Sequence, residues 1–277
     1  MKRFDAVVRT AAPPRRQIST LAALAGVILL AFFFVPGALA RTSVSTANVS
    51  RSFRRGFVAY WQSGSQDFPP QLETTVAFWF RFHLVKAGVS ALLLAVTVAL
   101  GVVLWRYFRQ RPGGRSARLR RGLSCVPVGV LGLFALAALM ANVQGAAAPF
   151  ASLLPMLTTG GADGELAATL TQVRQQANAH PSSGHSPVLA FMVREFAVYH
   201  AVLATMAGVI TCVLAGTGIM LWNRSRASAN GQPKHAAKTG AAVSALWATI
   251  ALVIAFSNAV NAANSPQALA RLFAGNW

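Results

Sequence analysis

Acidic side chains are scarce in this 277-residue chain, with six Asp and Glu against 25 Lys and Arg and a formal net charge of +19. So few carboxylates leave little from which to build a paired acid–base site. Cysteine is thinner still: Cys125 and Cys212 are the only two, and both lie inside apolar stretches. That removes a disulfide framework and any CxxC metal or redox pair. The chain also has no GxSxG, no Walker loop, no HExxH and no dinucleotide GxGxxG after a strand, so the well-defined catalytic constellations are missing. Charged residues make up only 11% of the chain and hydrophobic ones 55%, which does not describe a water-soluble domain.

What the sequence has instead is long apolar runs. Five of them, near 18–40, 82–105, 123–146, 196–222 and 241–262, reach the roughly 20 residues needed to cross a hydrocarbon core about 30 Å thick. Backbone groups in lipid must be satisfied within the segment, so each run is expected to be a helix, and the fold class is an all-α polytopic bundle. The excess basic residues flank these runs: five in the leader 1–17, seven in 106–122 and four in 223–240. By the positive-inside rule those stretches face the cytoplasm of a bacterial-type inner membrane, which puts the C-terminal tail 263–277 outside. The Arg106 to Arg121 loop then reads as a contact for anionic lipids, and no nucleic acid is expected as a partner. The first run also fits a cleavable signal peptide ending at Ala38-Leu39-Ala40, although its length and the recurrence of its ending near Pro266 to Arg271 favour a retained span.

Shifting the chain by 117 residues aligns Pro70 with Pro187, His83 with His200, Gly101 with Gly218, Leu104-Trp105 with Leu221-Trp222 and Pro149 with Pro266 without a gap. This suggests an internal duplication, with copies at about 70–154 and 187–271 arranged as parallel repeats. In the second span His83 is followed at every fourth position by Ala87, Ala91, Ala95 and Ala99; in the fourth, His200 is followed by Ala204, Gly208, Cys212 and Gly216. Small residues at this spacing permit close helix approach in lipid, so the two stripes are expected to form a packing seam between these spans.

Polar residues within the apolar runs collect at the outer ends: His83, Lys86, Asn142, Gln144, His200, Asn258 and Asn261. Intramembrane polar groups usually face a bundle interior or a watery cavity, so an outward-opening polar cup is expected, set against simple interfacial snorkelling. The two outer loops are too long for plain connectors. One places Val49, Phe53, Phe57 and Tyr60 on one helical face among Arg51, Arg54 and Arg55, and the other places Leu166, Leu170, Val173 and Ala177 likewise. Both spacings predict amphipathic helices that lie on the bilayer or cap the bundle.

Three stretches resemble the anthrone-oxygenase-like membrane proteins: Phe34-Val35-Pro36-Gly37-Ala38-Leu39-Ala40-Arg41, Trp79-Phe80-Arg81-Phe82-His83-Leu84-Val85-Lys86-Ala87, and Val260-Asn261 to Asn264 with Leu269-Ala270-Arg271. The chain differs in its fifth span and in carrying Lys86, with Leu203 in the second copy, where that family has Arg. The resemblance implies a small multi-pass fold and names no substrate. Three functions fit the residues. The first is a non-enzymatic or assembly-type protein with a membrane-protein partner, and the second is an oxidoreductase or oxygenase using His83 and His200, with haem as the candidate cofactor. The third is a small-solute transporter.

Overall fold

The computed structural model describes residues 14–110, 114–162, 164–179, 186–227 and 232–274. The leader residues Lys2, Arg3 and Arg9, as well as Arg111, Asp163 and Trp277, lie outside them, as do the side chains of 115–121 that make up most of the expected lipid-contacting run. Every regular element among the described residues is a helix: α1 (Pro14–Leu39), α2 (Val49–Ser63), α3 (Pro70–Arg109), α4 (Arg115–Ala147), α5 (Pro149–Leu153), α6 (Pro155–Thr158), α7 (Gly164–Ala179), α8 (Pro187–Ala227), α9 (Gln232–Ala263) and α10 (Ser265–Ala274). Five of these, α1, α3, α4, α8 and α9, are long and apolar enough to cross a membrane, so the chain is an integral multi-pass protein.

The observed helices outrun the spans read from hydropathy. With 40 and 41 residues, α3 and α8 extend about 60 Å at 1.5 Å per residue, roughly twice a hydrocarbon core. Both begin at a proline, Pro70 and Pro187, the residue whose missing N–H and fixed φ suit the first helical position. The basic run after the second span is helical at both ends, with 106–109 closing α3 and 115–122 opening α4.

Two compact units divide the chain. The first holds residues up to Ala38 and Val85–Leu139. In it Ala25 of α1, Leu93 of α3 and Ala135 of α4 are buried together, with Ile28, Leu29 and Leu131 packed around them. Small side chains at the meeting points let the helices close: Gly132 faces the Thr97 hydroxyl, and Gly101 faces Val128. Phe32 and Phe134 meet edge to face with centroids 5.3 Å apart.

The second unit, Leu39–Leu84 with Met140–Trp277, contains the α8–α9 hairpin and a helical cap. Helix α2 buries Val49, Phe53, Phe57, Tyr60 and Trp61, and α7 buries Leu166, Thr169, Leu170, Val173 and Ala177. Both faces are turned into protein, joined by Phe150, Leu153, Leu154, Leu157, Met192, Leu269 and Phe273 in one cluster. The outside of this cluster carries exposed Arg, Gln, Asp and Glu side chains, so the burial is of the kind that water drives, at about 1.5–3 kcal/mol for each large apolar side chain. Polar ties fasten its pieces. The Arg54 guanidinium donates to the carbonyls of Met156 (2.9 Å) and Thr159, and Trp61 Nε1 donates to Gln172 (3.0 Å). Arg174 donates to the Phe273 carbonyl (2.6 Å). Gly56 is where α2 meets α3: a Cβ there would stand 3.1 Å from the Cα of Leu72, tight enough that the neighbouring backbone would have to give. Ala40, just after the first span, belongs to the same cluster and is only 1% exposed.

Candidate functional site

The imidazoles of His83 and His200 have matching hydrogen-bond and aromatic partners. Nδ1–H of His83 donates to Oδ1 of Asn142 at 2.8 Å, and that of His200 to Oδ1 of Asn258 at 2.7 Å, spanning 59 and 58 residues respectively. Asn258 donates its own amide N–H to the Ile254 carbonyl (2.9 Å), which turns its oxygen toward the ring. Each histidine also meets an aromatic ring one helical turn earlier, Trp79 at 4.7 Å and Phe196 at 4.6 Å between centroids, in an edge-to-face arrangement. A second edge contact comes from the preceding residue, Phe82 at 5.6 Å and Tyr199 at 5.4 Å. Residues four apart on a helix lie on one face, so an aromatic at that spacing before a histidine produces this contact directly from sequence.

The two sites differ in their floors. A Cβ added to Gly145 would lie 2.8 Å from three atoms of the His83 ring, so only glycine fits under that imidazole. Asn261 holds the corresponding place after Asn258 and is half-buried. Of the other residues expected in a cup, Gln144 is buried and donates to the Tyr199 carbonyl (3.0 Å), tying α4 to α8. Lys86 belongs to the other unit, where its ammonium sits 4.5 Å over the Phe32 ring, a cation–π contact. The structure thus brings the cup residues together as two His–Asn pairs and one Gln bridge.

Comparison with protein-family models, with curated proteins and with solved structures finds no match to this chain. The site is therefore read from its own chemistry. Among the described residues no three His, Cys, Asp or Glu side chains stand close enough to hold a metal ion. In a neutral imidazole with Nδ1 protonated, Nε2 carries the lone pair, so any base or ligand chemistry of either histidine runs through Nε2.

Within each unit, most of the small-residue stripe lies off the buried helix faces. In α8 Cys212 and Gly216 are exposed, and a Cβ at Gly208 or Gly216 would meet nothing within 4 Å. The face of α8 that α9 covers runs through His200, Ala207, Leu214, Gly218, Leu221 and Ser225. Its counterpart on α9 is Ala241, Ser244, Ala248, Ala251, Ala255 and Asn258, alternating steps of three and four, as in a left-handed helix pair. Gly218 packs on Ser244 here as Gly101 packs on Val128 in the other hairpin. On α3, Ala87 is buried while Ala91, Ala95 and Ala99 are exposed, and the buried line is Ser90, Leu93, Thr97, Leu100 and Leu104. Sequence reading missed this line, and Gly145 with it. The signal available was the three-four alternation ending in an asparagine.

Proposed function

We propose that this chain is a non-enzymatic, assembly-type membrane protein built from two duplicated helical hairpins, each fastened near its capped end by one His–Asn bond. The observation that carries the reading is the pairing itself: His83 with Asn142 and His200 with Asn258 join helix to helix within each hairpin. The offset of 117 residues between the histidines, the matching aromatic partners and the matching glycine contacts support duplication. The clustering of Lys and Arg away from the cap supports an amino terminus in the cytoplasm and a cap on the far side of a bacterial inner membrane. Mild solubilisation of native membranes followed by native mass spectrometry tests the assembly role. A complex of fixed stoichiometry with another membrane protein is expected, and recovery of the chain alone from several detergents contradicts it.

A second reading, an oxidoreductase using the two histidines, is favoured by one feature. Fixing Nδ1–H on a carbonyl oxygen is how proteins orient a histidine whose Nε2 binds a metal or takes a proton. Purified protein with a Soret band that disappears in His83→Ala or His200→Ala selects haem binding, and a colourless preparation removes it.

A further inference from the structure

We propose that the cap carries a binding site for a phosphate-class oxyanion, formed by Arg51 and Arg55 of α2 with Ser43 and Gln71 beside them. This inference does not rest on the function proposed above. Helix α2 turns Phe53 and Phe57 inward and leaves Arg51 and Arg55, four residues apart, exposed on its outer side. Both line a cavity of about 320 Å³ whose other walls include Ser43, Asn48, Gln71 and Thr74, and no carboxylate lines it. The same two arginines also border a neighbouring cavity of about 510 Å³, where Glu165 is the single acid.

The contrast with Arg54 is informative. That guanidinium is engaged by the Met156 and Thr159 carbonyls and holds the cap together, whereas neither Arg51 nor Arg55 forms an ion pair or side-chain hydrogen bond among the described residues. Two like charges at this spacing repel by a few tenths of a kcal/mol, so folding alone gives no reason to gather them around one hollow. A guanidinium offers a planar fork of donors that matches phosphate oxygens in pairs, and two such forks match a diphosphate better than a halide. The neutral residues complete the donor set. The Ser43 hydroxyl and the Gln71 amide are available, while Asn48 is held by the Ser45 N–H (2.7 Å) and the Ser43 carbonyl (3.2 Å), which fixes the loop wall. Thr74 directs its hydroxyl to the Pro70 carbonyl and serves as wall only. Gln71 and Thr74 stand about 14–18 Å of helix beyond His83, which favours a water-borne anion over a lipid headgroup.

The test uses the full chain in phosphatidylcholine nanodiscs at low salt, titrated calorimetrically with pyrophosphate and with inorganic phosphate. Pyrophosphate binding is expected, weakened about tenfold by Arg51→Gln or Arg55→Gln and lost in the double variant, with Arg271→Gln unaffected. Unchanged thermal melting of the variants without ligand separates lost binding from lost folding. Repeating the titration in phosphatidylglycerol nanodiscs identifies the source: unaltered affinity assigns the site to a soluble anion, and competition assigns it to the headgroup. Absence of binding in phosphatidylcholine, or binding that survives the double variant, overturns the proposal.

Discussion

His83, His200 and Gln144, near the capped ends of the hairpins, are each held by a specific neighbour, and the neighbours set the consequences of substitution. Gly145 is the tightest case, because any side chain there meets the His83 ring at 2.8 Å and the ring is rigid. Gly145→Ala is expected to displace the imidazole, break the bond to Asn142 and destabilise the protein by about 1–3 kcal/mol, measured as a lower melting temperature in detergent. Tyr60 behaves oppositely. It is fully buried, its hydroxyl has no hydrogen-bond partner among the described residues, and burial, with a smaller contribution from Asp67, pushes its pKa up to about 12. Tyr60→Phe removes an unsatisfied polar atom and is expected to leave stability unchanged or raised. The sign of the pH dependence follows. The folded state keeps the phenol protonated, so the stabilisation is present below pH 10 and is lost as pH rises from about 10 to about 12. Melting temperatures of wild type and Tyr60→Phe should therefore diverge across that interval, and parallel curves contradict the assignment.

Among the elements, amphipathic helices were legible before the structure and helix-pairing faces were not. The faces Val49–Phe53–Phe57–Tyr60 and Leu166–Leu170–Val173–Ala177 appear buried as the spacing predicts, because polar residues on the opposite side give the period its contrast. In the spans that contrast is absent: lipid-facing and protein-facing positions are both apolar, so the every-fourth stripe of α8 looked as good as the three-four line that α9 covers. Substitution separates the two. Ala251→Leu, on the buried line, is expected to splay the α8–α9 pair and lower the melting temperature, whereas Cys212→Leu, off that line, is expected to leave the α8–α9 pair intact. Equal effects contradict the observed packing. The extra length of α3 and α8 was hidden for a related reason, since hydropathy marks where a helix enters lipid and not where it starts. Gly56→Ala, pressed against Leu72, is expected to loosen the cap without altering the spans, read as faster hydrogen exchange confined to 49–63 and 70–78.

At the scale of the whole molecule, the sequence already implied five spans, an all-helical fold and matched histidines, while the partners of those histidines required coordinates. The first span is expected to be retained, because Ala40 lies in the core cluster of the cap and a chain starting at Arg41 forfeits that packing; an intact mass lacking the first 40 residues contradicts this. The central proposal is that the hairpins are duplicates, each fastened by its own His–Asn bond. Double-mutant cycles on unfolding free energy test it: His83→Ala with Asn142→Ala, His200→Ala with Asn258→Ala, and the crossed pair His83→Ala with Asn258→Ala. Coupling of about 0.5–1.5 kcal/mol is expected within each pair and near zero across pairs, in line with interhelical hydrogen bonds in lipid. Coupling across the pairs as large as within them contradicts the account, since it means that both imidazoles serve one shared centre.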